Sequence, residues 1–123
     1  EVLKARDYIL VYSTQEEIEL IEITRSVFDE INIDPGGVAV TAPGNDCDFV
    51  SRFFTPQATI LEDPVTGSAH CSLAPFWASK LDKKRLLARQ LSERGGLIDC
   101  TVEDGTVVIR GKAVIYSKSE IYI

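Results

Sequence analysis

The residues that could do chemistry in this chain are concentrated in one stretch, ILEDPVTGSAHCSLAPFWASKL, at positions 60–81. This stretch holds the only histidine, the only tryptophan and one of the three cysteines. The acid Asp63 stands directly before Pro64, in a predicted turn. A carboxyl group shielded from water beside an anionic ligand can transfer protons as a general acid or base. Otherwise it only caps backbone amides. Asp63 is therefore the candidate catalytic residue, with the capping role as the alternative.

The residues after Asp63 predict a helix over 68–81 whose start could bind an anion. Gly67 before it allows a backbone conformation that other residues avoid. The first amides of a helix have no partner within the helix, and the helix dipole favours negative charge there. The amides of Gly67, Ser68 and Ala69, with the hydroxyl of Ser68 or Thr66, could therefore hold a carboxylate. The alternative is a well-capped helix that binds nothing.

The remaining uncommon residues lie inside this helix. His70 falls in its first turn, where the dipole disfavours a positive charge, so we expect a neutral imidazole that serves as a hydrogen-bond partner. A buried structural histidine is an equal alternative. Cys71 is predicted to be a small core thiol and Trp77 a core residue. Apolar residues on all sides of the helix predict burial on most sides, and Pro75 predicts a kink or a later helix start.

The composition indicates a single domain over residues 1–123, with a net charge of −6. That charge makes nucleic acid and anionic membranes improbable partners. Cys47, Cys71 and Cys100 are odd in number and form no C-x-x-C pair, which predicts neither a disulfide framework nor a metal site. Reduced thiols favour a cytoplasmic location. The lack of methionine and the start at Glu1 indicate a cut segment or a chain without its initiator.

The pattern along the chain predicts many strands and few helices. A capping box of Ser13 or Thr14 with Glu16 or Glu17 predicts a helix start. Residues 86–92 are compatible with helix or strand. The predicted elements are strands over 9–11, 38–42, 48–54, 107–110, 113–116 and 120–123, a short helix over 25–30, and turns at Asp34–Gly37 and Glu103–Gly105.

Three motifs give this chain a family resemblance. DFVSRFFTP, EDPVTGSAHCSLAPFWASKL and RQLSERGG, in that order, resemble the C-terminal half of the PhzF-type family, the phenazine biosynthesis-like isomerases and epimerases. The resemblance is strong over residues 48–96. It implies an α+β fold in which a barrel-like sheet wraps around a central, mostly buried helix, as in one half of a diaminopimelate-epimerase-like fold. It also implies cofactor-free proton transfer at a carbon beside a carboxylate.

The resemblance also implies roles for single residues. Asp63 corresponds to the acid on the C-terminal side of the family's cleft, and no metal is implied. Gly67, Ser68 and Ala69 correspond to donors that hold the substrate carboxylate. Thr66 and His70 belong to the same motif and complete the candidate substrate-binding set, although His70 is not expected to carry a proton.

The family's general-base glutamate has no counterpart in this chain, because it lies in an N-terminal half that is absent here. Glu62 adjoins Asp63, but neighbouring side chains in an extended segment point in opposite directions. Three hypotheses therefore stay open. The chain could be one half of an isomerase completed by the missing half, a homodimer that imitates the two halves, or a non-catalytic module that binds small carboxylic acids.

Overall fold

The computed structural model describes residues 1–33 and 36–122 of the chain. Its elements form one seven-stranded sheet with three helices, and the strands lie side by side in chain order. The elements are β1 (Val2–Lys4), β2 (Tyr8–Val11), α1 (Gln15–Glu19), α2 (Arg25–Phe28), β3 (Val38–Pro43), β4 (Phe49–Phe54), α3 (Gly67–Leu81), β5 (Arg85–Gln90), β6 (Gly96–Glu103) and β7 (Thr106–Arg110).

The connections between strands place the helices on opposite faces of the sheet. Strands β2 and β3 are parallel, as are β4 and β5, and the other neighbours are antiparallel. The second parallel pair runs opposite to the first. Right-handed crossovers that advance in the same direction therefore put α1 and α2 on one face and α3 on the other. The core agrees, since Ile18 and Phe28 belong to one apolar cluster and α3 to the other.

Central strand β4 is buried on both faces. Phe49 and Phe53 pack with α3, whereas Val50 and Phe54 pack with α1 and α2. Side chains alternate between the faces of a strand, so an almost continuous apolar run is what a two-sided sheet requires. The sequence FVSRFF therefore forms the partition between the two halves of the core.

The expected sheet around a central helix is confirmed, and the sheet is open. Every strand contributes an apolar side chain to the cluster around α3. Within the described residues, β1 and β7 are the outer strands and do not pair with each other. The 15-residue α3 is the longest helix, and in the described part of the chain no helix combines the length and apolarity needed to cross a bilayer.

Helix α3 is buried along one stripe rather than on most sides. The buried residues are spaced at helical intervals, and they are Ala69, His70, Leu73, Ala74 and Trp77. The prediction of a core thiol at Cys71 is wrong, because this residue lies on the exposed face. Pro75 is also exposed. The helix nevertheless starts at Gly67. Pro75 has no N–H group, so the carbonyl of Cys71, four residues earlier, lacks its helical hydrogen bond, but this carbonyl is on the exposed side of the helix, where water can replace the donor.

Several local predictions are confirmed. Thr14 and Glu17 form the capping box of α1. The ambiguous segment after α3 is strand β5. The loop between β6 and β7 consists of Asp104 and Gly105, both with positive φ (47° and 78°), as a tight hairpin turn requires. Strand β1 was not predicted. Asp34 and Pro35 of the predicted turn lie outside the described residues.

The strands predicted over 113–116 and 120–123 are wrong for the residues that are described. From Gly111 to Tyr122 the chain is exposed and forms no strand, although Ile123 lies outside the described residues. Val114 and Tyr116 are 92% and 99% exposed. These residues have strong β propensity, but propensity produces a strand only where a neighbouring strand supplies hydrogen bonds and packing. Within the described residues, none does so here.

Truncation of the chain after Gly111 is therefore expected to leave its stability unchanged, because the removed residues that are described make no buried contact. The melting temperature should stay within about 3 °C, which is less than 1 kcal/mol for a domain of this size. Truncation after Glu103 is the control, since it removes β7 and should lower the melting temperature strongly. An equal loss in both truncations would contradict this description of the tail.

Candidate functional site

The turn at residues 63–66 is the last part of the connection between β4 and α3. The amide of Asp63 donates to the carbonyl of Phe53 over 3.0 Å, which anchors the turn to β4. The hydroxyl of Thr66 donates to Asp63 Oδ2 over 2.7 Å. Asp63 is partly exposed and Thr66 is buried. The candidate acid is thus held against the helix start rather than extended into solvent.

The start of α3 is left without a side-chain cap. Thr66 occupies the N-cap position but makes no side-chain hydrogen bond to the helix amides, since its hydroxyl is directed to Asp63. Helix α1, by contrast, is closed by a complete capping box. The first residues of α3, Gly67 and Ser68, are exposed. Their backbone donors are therefore available to an anion that approaches from outside.

Gly67 differs from expectation in its conformation. It is not among the glycines with positive φ, so the conformation that glycine would allow here is not adopted. A Cβ atom built on Gly67 would meet nothing within 4 Å. Neither strain nor packing within the described chain explains a glycine here, and a side chain at this position would enter open space at the start of the helix.

A cation that the sequence analysis did not identify lies at the same helix start. Arg6 Nη2 donates to Ser68 Oγ over 3.0 Å, and the Arg6 side chain is 49% exposed. Its guanidinium is held by Asp7, which is 2% exposed and lies 2.9 Å away. Asp7 also accepts the amide of Gly37 over 2.9 Å. Nothing in the sequence around Arg6 pointed to this contact, because it depends on how the β1–β2 turn meets α3.

His70 lies behind the helix start and is fully buried. Its Nδ1 lies 2.7 Å from the carbonyl of Thr66, which can only accept, so the proton must be on Nδ1. Burial lowers the pKa of His70 below its usual 6.5, and the Thr66 carbonyl opposes this only in part. This geometry is that of the alternative, a buried structural histidine, and the lowered pKa is consistent with the predicted neutral imidazole. Whether His70 influences a bound substrate stays a prediction.

Gln90 of β5 is the second residue of the site that sequence reasoning missed. It is 1% exposed. Its Oε1 accepts the amide of Thr66 over 2.8 Å, and its Nε2 donates to the carbonyl of Asp63 over 2.6 Å. The signal was present in the motif RQLSERGG, because a polar residue inside a strand that otherwise buries Leu86 and Ala88 needs polar partners.

Glu62 is engaged away from the site. It forms two hydrogen bonds with Arg52, Nε to Oε1 over 2.7 Å and Nη2 to Oε2 over 2.9 Å. Arg52 also donates to the carbonyls of Ile18 and Ile21. This ion pair, with its two hydrogen bonds, ties the segment before Asp63 to α1. The expectation that Glu62 does not act beside Asp63 is consistent with this geometry.

The depressed pKa of His70 predicts how stability depends on pH. The unfolded chain takes up a proton near the usual pKa of 6.5, but the folded chain resists it until lower pH. Stability is therefore complete above 6.5 and falls as the pH drops below it. Chemical denaturation at pH 7.5 and pH 5.5 should show this loss, and a His70→Gln variant should lose less between the two values. An imidazole that titrates normally by NMR would contradict the prediction.

Comparison with known proteins places the chain in a family. The model of the PhzC-PhzF family, described as phenazine biosynthesis-like protein, matches residues 8–119. An uncharacterized isomerase of Pseudomonas aeruginosa is 44% identical over 124 residues, covering 100% of this chain and 47% of that protein. Phenazine biosynthesis-like domain-containing protein 1 of Mus musculus is 46% identical over 99 residues, covering 80% of this chain and 33% of that protein.

A solved structure is similar over nearly the whole chain. The crystal structure of a phenazine biosynthesis PhzC/PhzF protein from Clostridium difficile matches with a TM-score of 0.88 and 40% identity, covering 99% of this chain and 47% of that one. The chain thus spans about half the length of the curated bacterial relatives it matches. It belongs to the PhzC-PhzF family of phenazine biosynthesis-like proteins.

Proposed function

We propose that this chain forms one wall of a cofactor-independent isomerase site that moves a proton at a carbon beside the carboxylate of a small acid. The observation that carries the proposal is the arrangement of Thr66. Its hydroxyl binds Asp63, so the acid and the uncapped amides of α3 lie at the two ends of one short turn. A carboxylate on Gly67, Ser68 and Ala69 would then place its neighbouring carbon near Asp63. The isomerase names of the bacterial relatives support this reaction class.

Electrostatics at the helix start support an anionic ligand. The amides of the first turn carry the positive end of the helix dipole, and the guanidinium of Arg6 adds a full charge next to Ser68. Arg6 is held by a buried carboxylate, so its position is already defined before a ligand binds. The open space at Gly67 gives the ligand access to the amides.

The general base must come from outside this wall. Glu62, the nearest acid in sequence, is committed to Arg52. Gly67 and Ser68 are exposed, so a substrate held there would be covered on one side only. Inversion at a carbon through a planar carbanion needs a base on one face and an acid on the other. We propose that a second half, or a second copy of this chain, supplies the base and closes the site; a chain that binds carboxylates without turnover is the alternative.

The decisive experiment measures solvent deuterium exchange at the carbon beside the carboxylate. The chain is joined with the N-terminal half of the Pseudomonas aeruginosa relative and tested on a panel of small amino and hydroxy acids. An Asp63→Asn variant should lower exchange at least about 100-fold, the usual contribution of a general acid, while carboxylate binding remains. Asp46→Asn is the control, because Asp46 is exposed in the loop at the opposite end of β4. Equal exchange in both variants would refute the role of Asp63.

Gly67→Ala separates binding from folding. Alanine is the better helix former, and its Cβ would meet no atom, so the free energy of unfolding should rise by up to about 1 kcal/mol. Carboxylate affinity should nevertheless fall, because the methyl group occupies the space in front of the amides. Calorimetry with lactate measures the binding. Gly111→Ala is the control, since a Cβ there is equally free. Unchanged affinity in Gly67→Ala would place the carboxylate elsewhere.

A further inference from the structure

The side chain of Gln90 spans the turn that carries the candidate acid. Its amide nitrogen binds the carbonyl of Asp63 and its amide oxygen binds the N–H of Thr66, at 2.6 and 2.8 Å. These are the first and last residues of the turn. One planar amide group therefore joins both ends, and because Gln90 is 1% exposed, water does not compete for these bonds.

The same side chain sets the direction of the Thr66 hydroxyl. Gln90 Nε2 lies 3.2 Å from Thr66 Oγ and can only donate to it. The hydroxyl oxygen accepts on that side, so its own proton is left to point at Asp63 Oδ2, 2.7 Å away. The hydrogen bonds thus run in one direction, from the Gln90 amide through the Thr66 hydroxyl to the Asp63 carboxylate.

The rest of the turn is held by the residues that follow Gln90. Ser92 Oγ donates to the carbonyl of Pro64 over 2.7 Å. Gly96 packs so closely on Val65 that a Cβ there would lie 2.5 Å from the Val65 side chain. Every residue of the turn is therefore contacted by the segment 90–96. The motif RQLSERGG therefore has a structural role, since its residues hold the turn at residues 63–66 in place.

We propose that Gln90 is the positioning residue of this site, which keeps the Asp63 carboxylate and the open amides of α3 at a fixed separation. The contribution of Gln90 to catalysis rests on the proposed function, whereas its effect on the geometry of the turn does not. Gln90 does not contact a substrate. It acts through Thr66, whose amide and hydroxyl both depend on it.

The test uses two variants of Gln90 in this chain and one control. Gln90→Leu removes all three hydrogen bonds. Leu86→Ala, at a residue of the same strand that is 1% exposed, lowers stability without touching the turn. Amide hydrogen exchange at Thr66, corrected for global stability, should accelerate at least about tenfold in Gln90→Leu and not in Leu86→Ala. Equal protection of Thr66 in the two variants would overturn the proposal.

Gln90→Glu provides a readout that a purely structural role would not give. While the introduced carboxyl is protonated, it can still donate to the Asp63 carbonyl and accept from Thr66. Once ionised, it loses the donor and places a negative charge against that carbonyl. Because burial raises the pKa of such a carboxyl, lactate affinity relative to the native chain should be near normal at about pH 5 and at least about tenfold weaker at about pH 8.

The two proposals fail separately. If the native chain binds no lactate, the proposed carboxylate site is refuted. Amide exchange at Thr66 still decides the role of Gln90 in that case. The Gln90→Glu variant is then tested by measuring Thr66 exchange, instead of lactate affinity, at both pH values. Fast Thr66 exchange in Gln90→Leu, together with pH-dependent protection in Gln90→Glu, supports the positioning role. Protection that is independent of pH in Gln90→Glu overturns it.

Discussion

The burial of one stripe of α3 against the sheet is the constraint on which the rest of the structure depends. Trp77 is the last residue of this stripe, stacked on Phe49 with ring centroids 5.7 Å apart, and its indole N–H donates to Thr41 Oγ over 2.9 Å. This polar bond inside an apolar cluster fixes the rotation of the helix about its own axis. Once that rotation is fixed, the first turn of α3 must emerge beside the end of β4, where the acid-bearing turn begins.

From this position the turn that carries Asp63 is held by backbone groups and uncharged side chains. The Thr66 hydroxyl, the Gln90 amide and the His70 imidazole each bind an atom of the turn or helix start, and all three residues are buried. The charged members, Asp63 and Arg6, lie at the outer edge. Asp7, the buried charge behind Arg6, is paired with that guanidinium and accepts the amide of Gly37, which offsets its desolvation cost and leaves Asp63 and Arg6 available to a ligand.

The chain motif predicted which residues of the candidate site lie together, because those residues are adjacent in sequence. Asp63, Thr66 and the first residues of α3 lie within one turn, so local rules of helix termini were sufficient. Arg6 and Gln90 reach the same place from β1–β2 and β5, and no local rule predicts which distant strand ends meet. The prediction of strands in the tail after Gly111 failed for the opposite reason. Its β propensity is local, but a strand depends on a neighbour that the described residues do not provide.

The position of the only tryptophan has a practical consequence. Phe49 touches the indole of Trp77 on one side and lies 5.8 Å from the His70 ring. The aromatic stack thus runs from the middle of the molecule to the base of the acid-bearing turn. Ultraviolet emission from this single indole gives an intrinsic optical signal of changes near the turn that carries Asp63, with no dye attached and no second tryptophan to obscure it.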